Sequence, residues 1–166
     1  WAAADQDSDR AQQTLAALLL NEGKIDEAEP ILRAMLKQDG ASGFMHLSAL
    51  MGKMRDTRTG LELVQRLAAD YPALPEAAFA VAQAAANAGR FDLAVAALRQ
   101  ADKLRPGWEA AAVMRAQVLE KTSRDDSLAF MREFLAAHPD ARELRLAYAR
   151  ALVGANQVTE ARTEFT

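Results

Sequence analysis

The strongest constraint on this chain is a ruler of helix terminators. "AADYP" ends at Pro72, "DKLRP" at Pro106 and "LAAHP" at Pro139, so the prolines stand 34 and 33 residues apart, and "LKQDG" ends at Gly40, 32 residues before the first of them. Each terminator follows apolar residues at helical spacing. Proline cannot continue a helix and glycine readily leaves one, so the pattern predicts a helix stop about every 34 residues. A unit of that length cannot bury its apolar face alone and must stack on copies of itself.

A second register runs inside each period. Twelve residues before the terminator stands a small residue: Ala28, Gly60, Ala94 and Ser127. Eight residues before it stands a larger apolar one: Leu32, Val64, Leu98 and Met131. Small side chains there allow two helices to cross closely, and the larger ones fill the space beside the crossing. Gly23 and Gly89 each lie five residues before a small slot, where a left-handed turn between helices is expected. "DEAE" (26–29) reads as a capping box, Asp26 at the N-cap and Glu29 answering it, with Pro30 in the first helical turn.

Hydrophobic residues make up 51% of the chain and aromatics only 6%, so a core can form, and the abundance of alanine favours helices. The spacing predicts helices near 9–22, 26–38, 42–54, 58–70, 75–88, 92–104, 108–121, 125–137, 141–154 and 158–165. They form one all-α array over residues 1–166, with repeats 9–40, 41–74, 75–108, 109–141 and 142–166, the last incomplete. "WAAADQDSD" precedes the first expected helix, as an N-terminal approach or as the end of an earlier repeat, and Ala161 and Phe165 would fill the small and large slots of the fifth unit. A chain beginning at Trp1, with nothing like a signal peptide, is expected to be a fragment of a longer precursor.

Charge and composition narrow the function. The net charge is −3, and Lys and Arg are interleaved with acids rather than gathered in a run, which argues against nucleic acid as partner. No apolar run approaches the ~20 residues of a membrane span, so no membrane insertion is expected. The absence of cysteine removes disulfides, thiolate nucleophiles and cysteine-bound zinc.

Nothing in the chain assembles into a catalytic or metal motif. His46 and His138 stand in different repeats, neither with a second ligand at metal spacing. His138 reads as a helix-terminal residue, and His46 as a surface or groove hydrogen-bonding group. "DQDSD" (5–9) offers only the opening of a calcium loop. Phosphate-cradling glycine motifs are absent. Neither catalysis nor a cofactor or metal is expected.

Taken together, the registered positions resemble the tetratricopeptide repeat family. The third unit fits best, through Val81, Ala82, Ala85, Gly89, Phe91, Ala94, Leu98, Ala101 and Pro106. The first matches at Leu15, Ala16, Leu19, Gly23, Ile25, Ala28, Leu32 and Met35. The second lacks the turn glycine in "MRDTRTG", and the fourth is one residue short near "KTSRDDS". The resemblance implies a right-handed α-solenoid of antiparallel helix pairs, in which the first helix of each pair lines a concave groove.

Carried over residue by residue, the groove positions include Gln13 and Asn21 in the first unit, and Met45 and Lys53 in the second. Phe79, Gln83 and Asn87 follow in the third, Val113, Gln117 and Lys121 in the fourth, and Arg150 in the fifth. The side-chain amides can pair with the backbone of an extended peptide, offering both donor and acceptor. Met45, Phe79 and Val113 either form an apolar pocket or pack between adjacent helices; the spacing suits both. The family's carboxylate clamp is missing, since its slots hold Gln13, Ala17, His46, Glu76 and Ala80.

The resemblance implies a protein-interaction scaffold or adaptor that binds a peptide or partner protein. The alanine-rich units are similar to those of Gram-negative bacterial cell-envelope proteins of the family, some of them lipoproteins that assemble envelope machinery such as a protease. That similarity favours a periplasmic, outer-membrane-tethered location over the cytoplasm, while the residues themselves leave the compartment open. The alternative is a regulatory or docking segment of a larger enzyme or export protein. Exposed repeat edges also allow self-association.

Overall fold

The computed structural model describes residues 2–155 and residue 163. Trp1 lies outside the described residues, and so does the expected helix near 158–165, with Ala161 and Phe165, apart from residue 163. Among the described residues the chain forms nine α-helices and no strand. They are α1 (Ala2–Asn21), α2 (Ile25–Asp39), α3 (Ala41–Met51), α4 (Thr57–Ala68), α5 (Pro75–Asn87), α6 (Phe91–Leu104), α7 (Glu109–Thr122), α8 (Arg124–Ala137) and α9 (Arg142–Gly154). The chain divides into two compact units, Trp1–Arg90 and Phe91–Thr166, with the division between α5 and α6 inside the third period.

In the first unit α1 packs on α2, α2 on α3 and α4, and α5 on both α3 and α4. The small slots behave as their register requires: Ala28 is fully buried and Gly60 is buried. A Cβ at Gly60 would come within 3.2 Å of Met54 Sδ and 3.4 Å of Met51 Sδ, so anything larger than glycine requires the Met54 thioether to give way. The large slots Leu32 and Val64 are fully buried. Phe44 meets Tyr71 edge to face, ring centroids 5.1 Å apart, and joins α3 to the segment after α4.

The turns follow the glycines. Gly23 has φ +76° and Gly89 φ +72°. After α1, Lys24 N–H donates to Leu19 O (2.8 Å) and Gly23 N–H to Leu20 O (3.1 Å), and after α5, Arg90 and Gly89 repeat that pair of bonds onto Ala85 and Ala86. These are the paired bonds of a helix that ends on a left-handed glycine. The two turns without that glycine are closed from the other side. Asp56 accepts from Thr59 N–H (3.1 Å) to start α4, and Ser123 accepts from Asp126 N–H (3.2 Å) to start α8.

Two sequence expectations are corrected. The "DEAE" capping box does not form: α2 begins one residue earlier, Lys24 occupies the N-cap without a side-chain bond to the helix, and Pro30 lies beyond the first turn, inside the helix. Glu29 is occupied elsewhere. Its carboxylate takes Arg33 on one oxygen (2.9 Å) and Arg66 on the other (3.1 Å), while Arg33 also reaches Asp70 (2.9 Å), so the acid ties α2 to α4. The second correction concerns α1, which starts at Ala2 rather than near residue 9. Asp5, Asp7 and Asp9 therefore lie on a helix, where their backbone is used for helical bonding rather than for a cation loop.

In the second unit α7 packs on α6, α8 and α9, and α8 packs on α9. Leu128, Met131, Phe134, Leu135, Leu144, Tyr148 and Leu152 form its buried core. The small slot here is Ser127, whose hydroxyl is buried and donates to the Ala116 carbonyl of α7 at 2.7 Å. A polar residue thus sits at the helix crossing with its donor satisfied, as burial demands. His138 is the C-cap of α8, its N–H donating to Phe134 O and its ring tilted against the Phe134 ring, with centroids 4.7 Å apart.

Candidate binding surface

The predicted groove residues sit on the first helix of each pair, and the two units can be taken in turn. In the first unit Gln13 and Asn21 lie on α1, Met45 on α3, Lys53 just after it, and Phe79, Gln83 and Asn87 on α5. Packing of α3 directly against α5 sets the Met45-bearing helix beside the helix that carries Phe79 and Gln83. Met45 is 38% exposed, whereas Phe79 is only 9% exposed and belongs to the core. Of the two readings open for these residues, packing describes Phe79 and a surface position describes Met45.

Gln83 Nε2 donates to Asn87 Oδ1 at 3.2 Å, one helical turn away. The bond leaves the Gln83 carbonyl oxygen and the Asn87 amide nitrogen as acceptor and donor on the same strip of α5. Asn21 and Lys53 are exposed, and Gln13 is half-buried. Gln13 lines a cleft of about 240 Å³ between α1 and α2, together with Ser8, Asp9, Gln12, Gln38 and Asp39. Gln38 and Asp9 reach across its rim at 3.4 Å.

In the second unit Val113, Gln117 and Lys121 follow one another at four-residue spacing along α7, and Arg150 lies on α9, which packs against it. Val113 is half-buried and the other three are exposed. Of the slots of the missing clamp, His46 and Ala17 lie on open or half-open surface and Ala80 lies in the core.

Sequence reasoning missed two features of the second unit. Arg115 occupies a position that holds Leu15, Leu47 and Val81 in the earlier periods. Its guanidinium carbon stands 4.2 Å from the centre of the Phe130 ring, and its Nε is buried without a hydrogen-bond partner. Burial pushes its pKa down, Arg99 pushes the same way, and Asp102 and Glu133 oppose them. The other feature is Glu109, whose carboxylate bonds to the start of α9. Helical charge patterns could have flagged neither, because both partners lie a repeat or a helix away.

Among the described residues no group of three or more His, Cys, Asp or Glu side chains is placed to hold a metal ion. No described helix is long and apolar enough to cross a membrane.

Within each unit the helices pack on near neighbours in the chain, with small residues at the crossings, and this is the α-solenoid fold of tetratricopeptide repeat proteins. Solved structures agree. "Crystal structure of MamA protein" matches with a TM-score of 0.61 at 15% identity, over 96% of this chain and 89% of that one. The thermophilic tetratricopeptide repeat protein TTC0263 of Thermus thermophilus matches with a TM-score of 0.61 at 20% identity, over 95% and 88%. A second MamA structure gives 0.62 at 17% identity, over 87% and 86%. No protein-family model and no curated protein matches the sequence.

Proposed function

We propose that this chain is a protein-interaction scaffold that takes up an extended peptide or partner segment along the first helices of its repeats. The observation that carries the reading is the bonded Gln83–Asn87 pair on α5, which offers a free acceptor and donor on a helix packed against α3, the helix that carries the exposed Met45. An extended peptide needs both kinds of hydrogen-bonding group for its backbone and an adaptable apolar contact for a side chain. In the second unit Gln117, Lys121 and Arg150 supply polar and basic contacts of the same kind. A single repeat array over residues 1–166, binding without catalysis and assembling bacterial envelope machinery such as a protease complex, is the fuller form of this proposal.

A pull-down from the native cell tests it, using the full-length protein and the variants Met45→Asp and Gln83→Ala. Both residues lie at the surface or partly so, and circular dichroism establishes that the variants fold. Loss of a partner captured by the parent supports the strip as the binding surface. Unchanged capture of the same partner rejects it. Phe79→Ala is unsuitable as the first variant, because removing a buried ring perturbs the fold as well.

A further inference from the structure

The cleft between α1 and α2 corresponds to a place that is filled one repeat later. In the second repeat Phe44 of α3 is fully buried and meets the Tyr71 ring edge to face, with centroids 5.1 Å apart. The residues 32 positions earlier are Gln12 on α1 and Asp39 at the end of α2. Both line the cleft of about 240 Å³. A polar pair thus stands where an aromatic pair packs in the next repeat, and the space between the two helices is left open. Both walls belong to one helix pair, and every residue lining the cleft is described.

The cleft combines an apolar wall with acids that lack a counter-ion. Ile31, Ala34 and Met35 give the α2 side an apolar stretch. Asp9 and Asp39, both half-buried, stand opposite and beyond it on α1 and α2, with Gln12 and Gln13. Asp9 accepts only a long bond from Gln38 Nε2, at 3.4 Å. Neither carboxylate has an ion-pair partner among the described residues. Arg10 and Lys37, next in sequence to Asp9 and Gln38, do not line the cleft. Partial burial weakens the screening of the two negative charges, so a cation entering there is held more firmly than on open surface.

The lining also selects the kind of cation. Two carboxylates and the carbonyl oxygens of two amides offer more acceptors than the three protons of an ammonium can use. A guanidinium carries five N–H donors in a planar fork that matches a carboxylate, and its aliphatic stem can lie on an apolar wall.

We propose that this cleft receives an arginine side chain of a partner protein. The guanidinium is held by Asp9 and Asp39, with the amide oxygens of Gln12 and Gln13 as further acceptors, and the stem lies along Ile31, Ala34 and Met35. The proposal goes beyond the peptide strip described above: it shares Gln13 with the expected groove but uses no residue of α3 or α5.

The side-chain amide signals of Gln12, Gln13 and Gln38 report on the cleft in nuclear magnetic resonance spectra of the isotope-labelled chain. They are followed during titration with three capped peptides, acetyl-Gly-Arg-Gly-amide, acetyl-Gly-Lys-Gly-amide and acetyl-Gly-Gly-Gly-amide. Saturable shifts are expected with the arginine peptide, at an affinity about fivefold or more above that of the lysine peptide, and no shifts with the glycine peptide. Asp39→Asn keeps the shape and removes a charge, and is expected to weaken arginine binding about fivefold or more; added salt weakens it in the parent. The double variant Gln12→Phe/Asp39→Tyr installs the aromatic pair of the second repeat and is expected to abolish binding, with melting curves establishing that both variants fold. Gln83→Ala leaves arginine binding unchanged, so the cleft and the α5 strip can fail separately. Absence of saturable shifts with the arginine peptide, equal affinity for arginine and lysine, or undiminished binding by Asp39→Asn overturns the proposal.

Discussion

The carboxylate of Glu109, the first residue of α7, accepts the backbone N–H of Glu143 at 2.6 Å, and the same oxygen accepts the N–H of Leu144 at 3.0 Å. Glu143 stands one repeat, 34 residues, further along the chain. The N-cap of α9 is Ala141, which has no side chain able to satisfy the first N–H groups of the helix. Glu109 satisfies them from the preceding repeat, and places a negative charge at the positive end of the α9 dipole. Repeat-to-repeat contact in this unit is therefore polar and directional as well as apolar.

Replacing Glu109 by Ala uncaps α9 and is expected to cost about 1 kcal/mol, the usual worth of an N-cap bond. Glu109→Gln keeps an acceptor oxygen and loses less. Thermal melts of the two variants, compared with the parent, check the order. Equal melting temperatures for all three would show that the bond contributes nothing.

Ser127 gives a sharper test of the helix crossing. Its hydroxyl donates to Ala116 O in a buried site at 2.7 Å. Ser127→Ala removes the donor but keeps the small volume, and the carbonyl retains its helical role, so a loss of about 1 kcal/mol is expected. Ser127→Leu overpacks the crossing and is expected to lose about 1–3 kcal/mol. Urea unfolding separates the two, and a leucine variant as stable as the alanine one would contradict the register.

The α2–α4 ion network predicts an acid-dependent term. Hydrogen bonding from Arg66 is the largest cause holding the Glu29 carboxyl below its ordinary 4.5, with Arg33 helping and burial opposing. A depressed carboxylate contributes stability that is complete above its unfolded pKa and fades as pH falls through the lower folded value. Glu29→Gln is therefore expected to lower the melting temperature at pH 7, by an amount corresponding to about 1 kcal/mol, and the gap to the parent should close below about pH 4. A gap that stays constant from about pH 7 to about pH 3 would remove the charge from the explanation.

Arg115 predicts a gain rather than a loss. Its Nε is buried without a partner, and its charged head is partly desolvated over Phe130. Arg115→Met keeps the length and polarizability of the stem and removes the desolvated charge, so stability is expected to rise by about 1 kcal/mol. A lower melting temperature would mean that the contact with the Phe130 ring outweighs the desolvation.

The period, the all-helical class and the slots at each helix crossing were legible in the chain alone. Pro72, Pro106 and Pro139 stand just beyond the ends of α4, α6 and α8, where a residue that cannot donate a helical N–H bond discourages continuation, and Gly23 and Gly89 are free to take positive φ. Ala28, Gly60, Ala94 and Ser127 were legible because a close crossing tolerates only small side chains. The resemblance to the tetratricopeptide repeat family, carried over on that register, is what placed the predicted groove residues on the first helix of each pair.

What each polar side chain does came from the packing. Glu29 reads locally as a capping residue, but Arg66 stands 37 residues away and claims it, and α2 begins earlier with no side-chain cap. The "DQDSD" segment reads as an approach and lies within a helix. Phe79 shares the spacing of Met45, yet one is core and the other surface, because exposure depends on which neighbouring helix lies over the position. Local propensity acts through the backbone of each residue itself, whereas a carboxylate chooses among all donors within a few ångströms, and only packing brings those donors near.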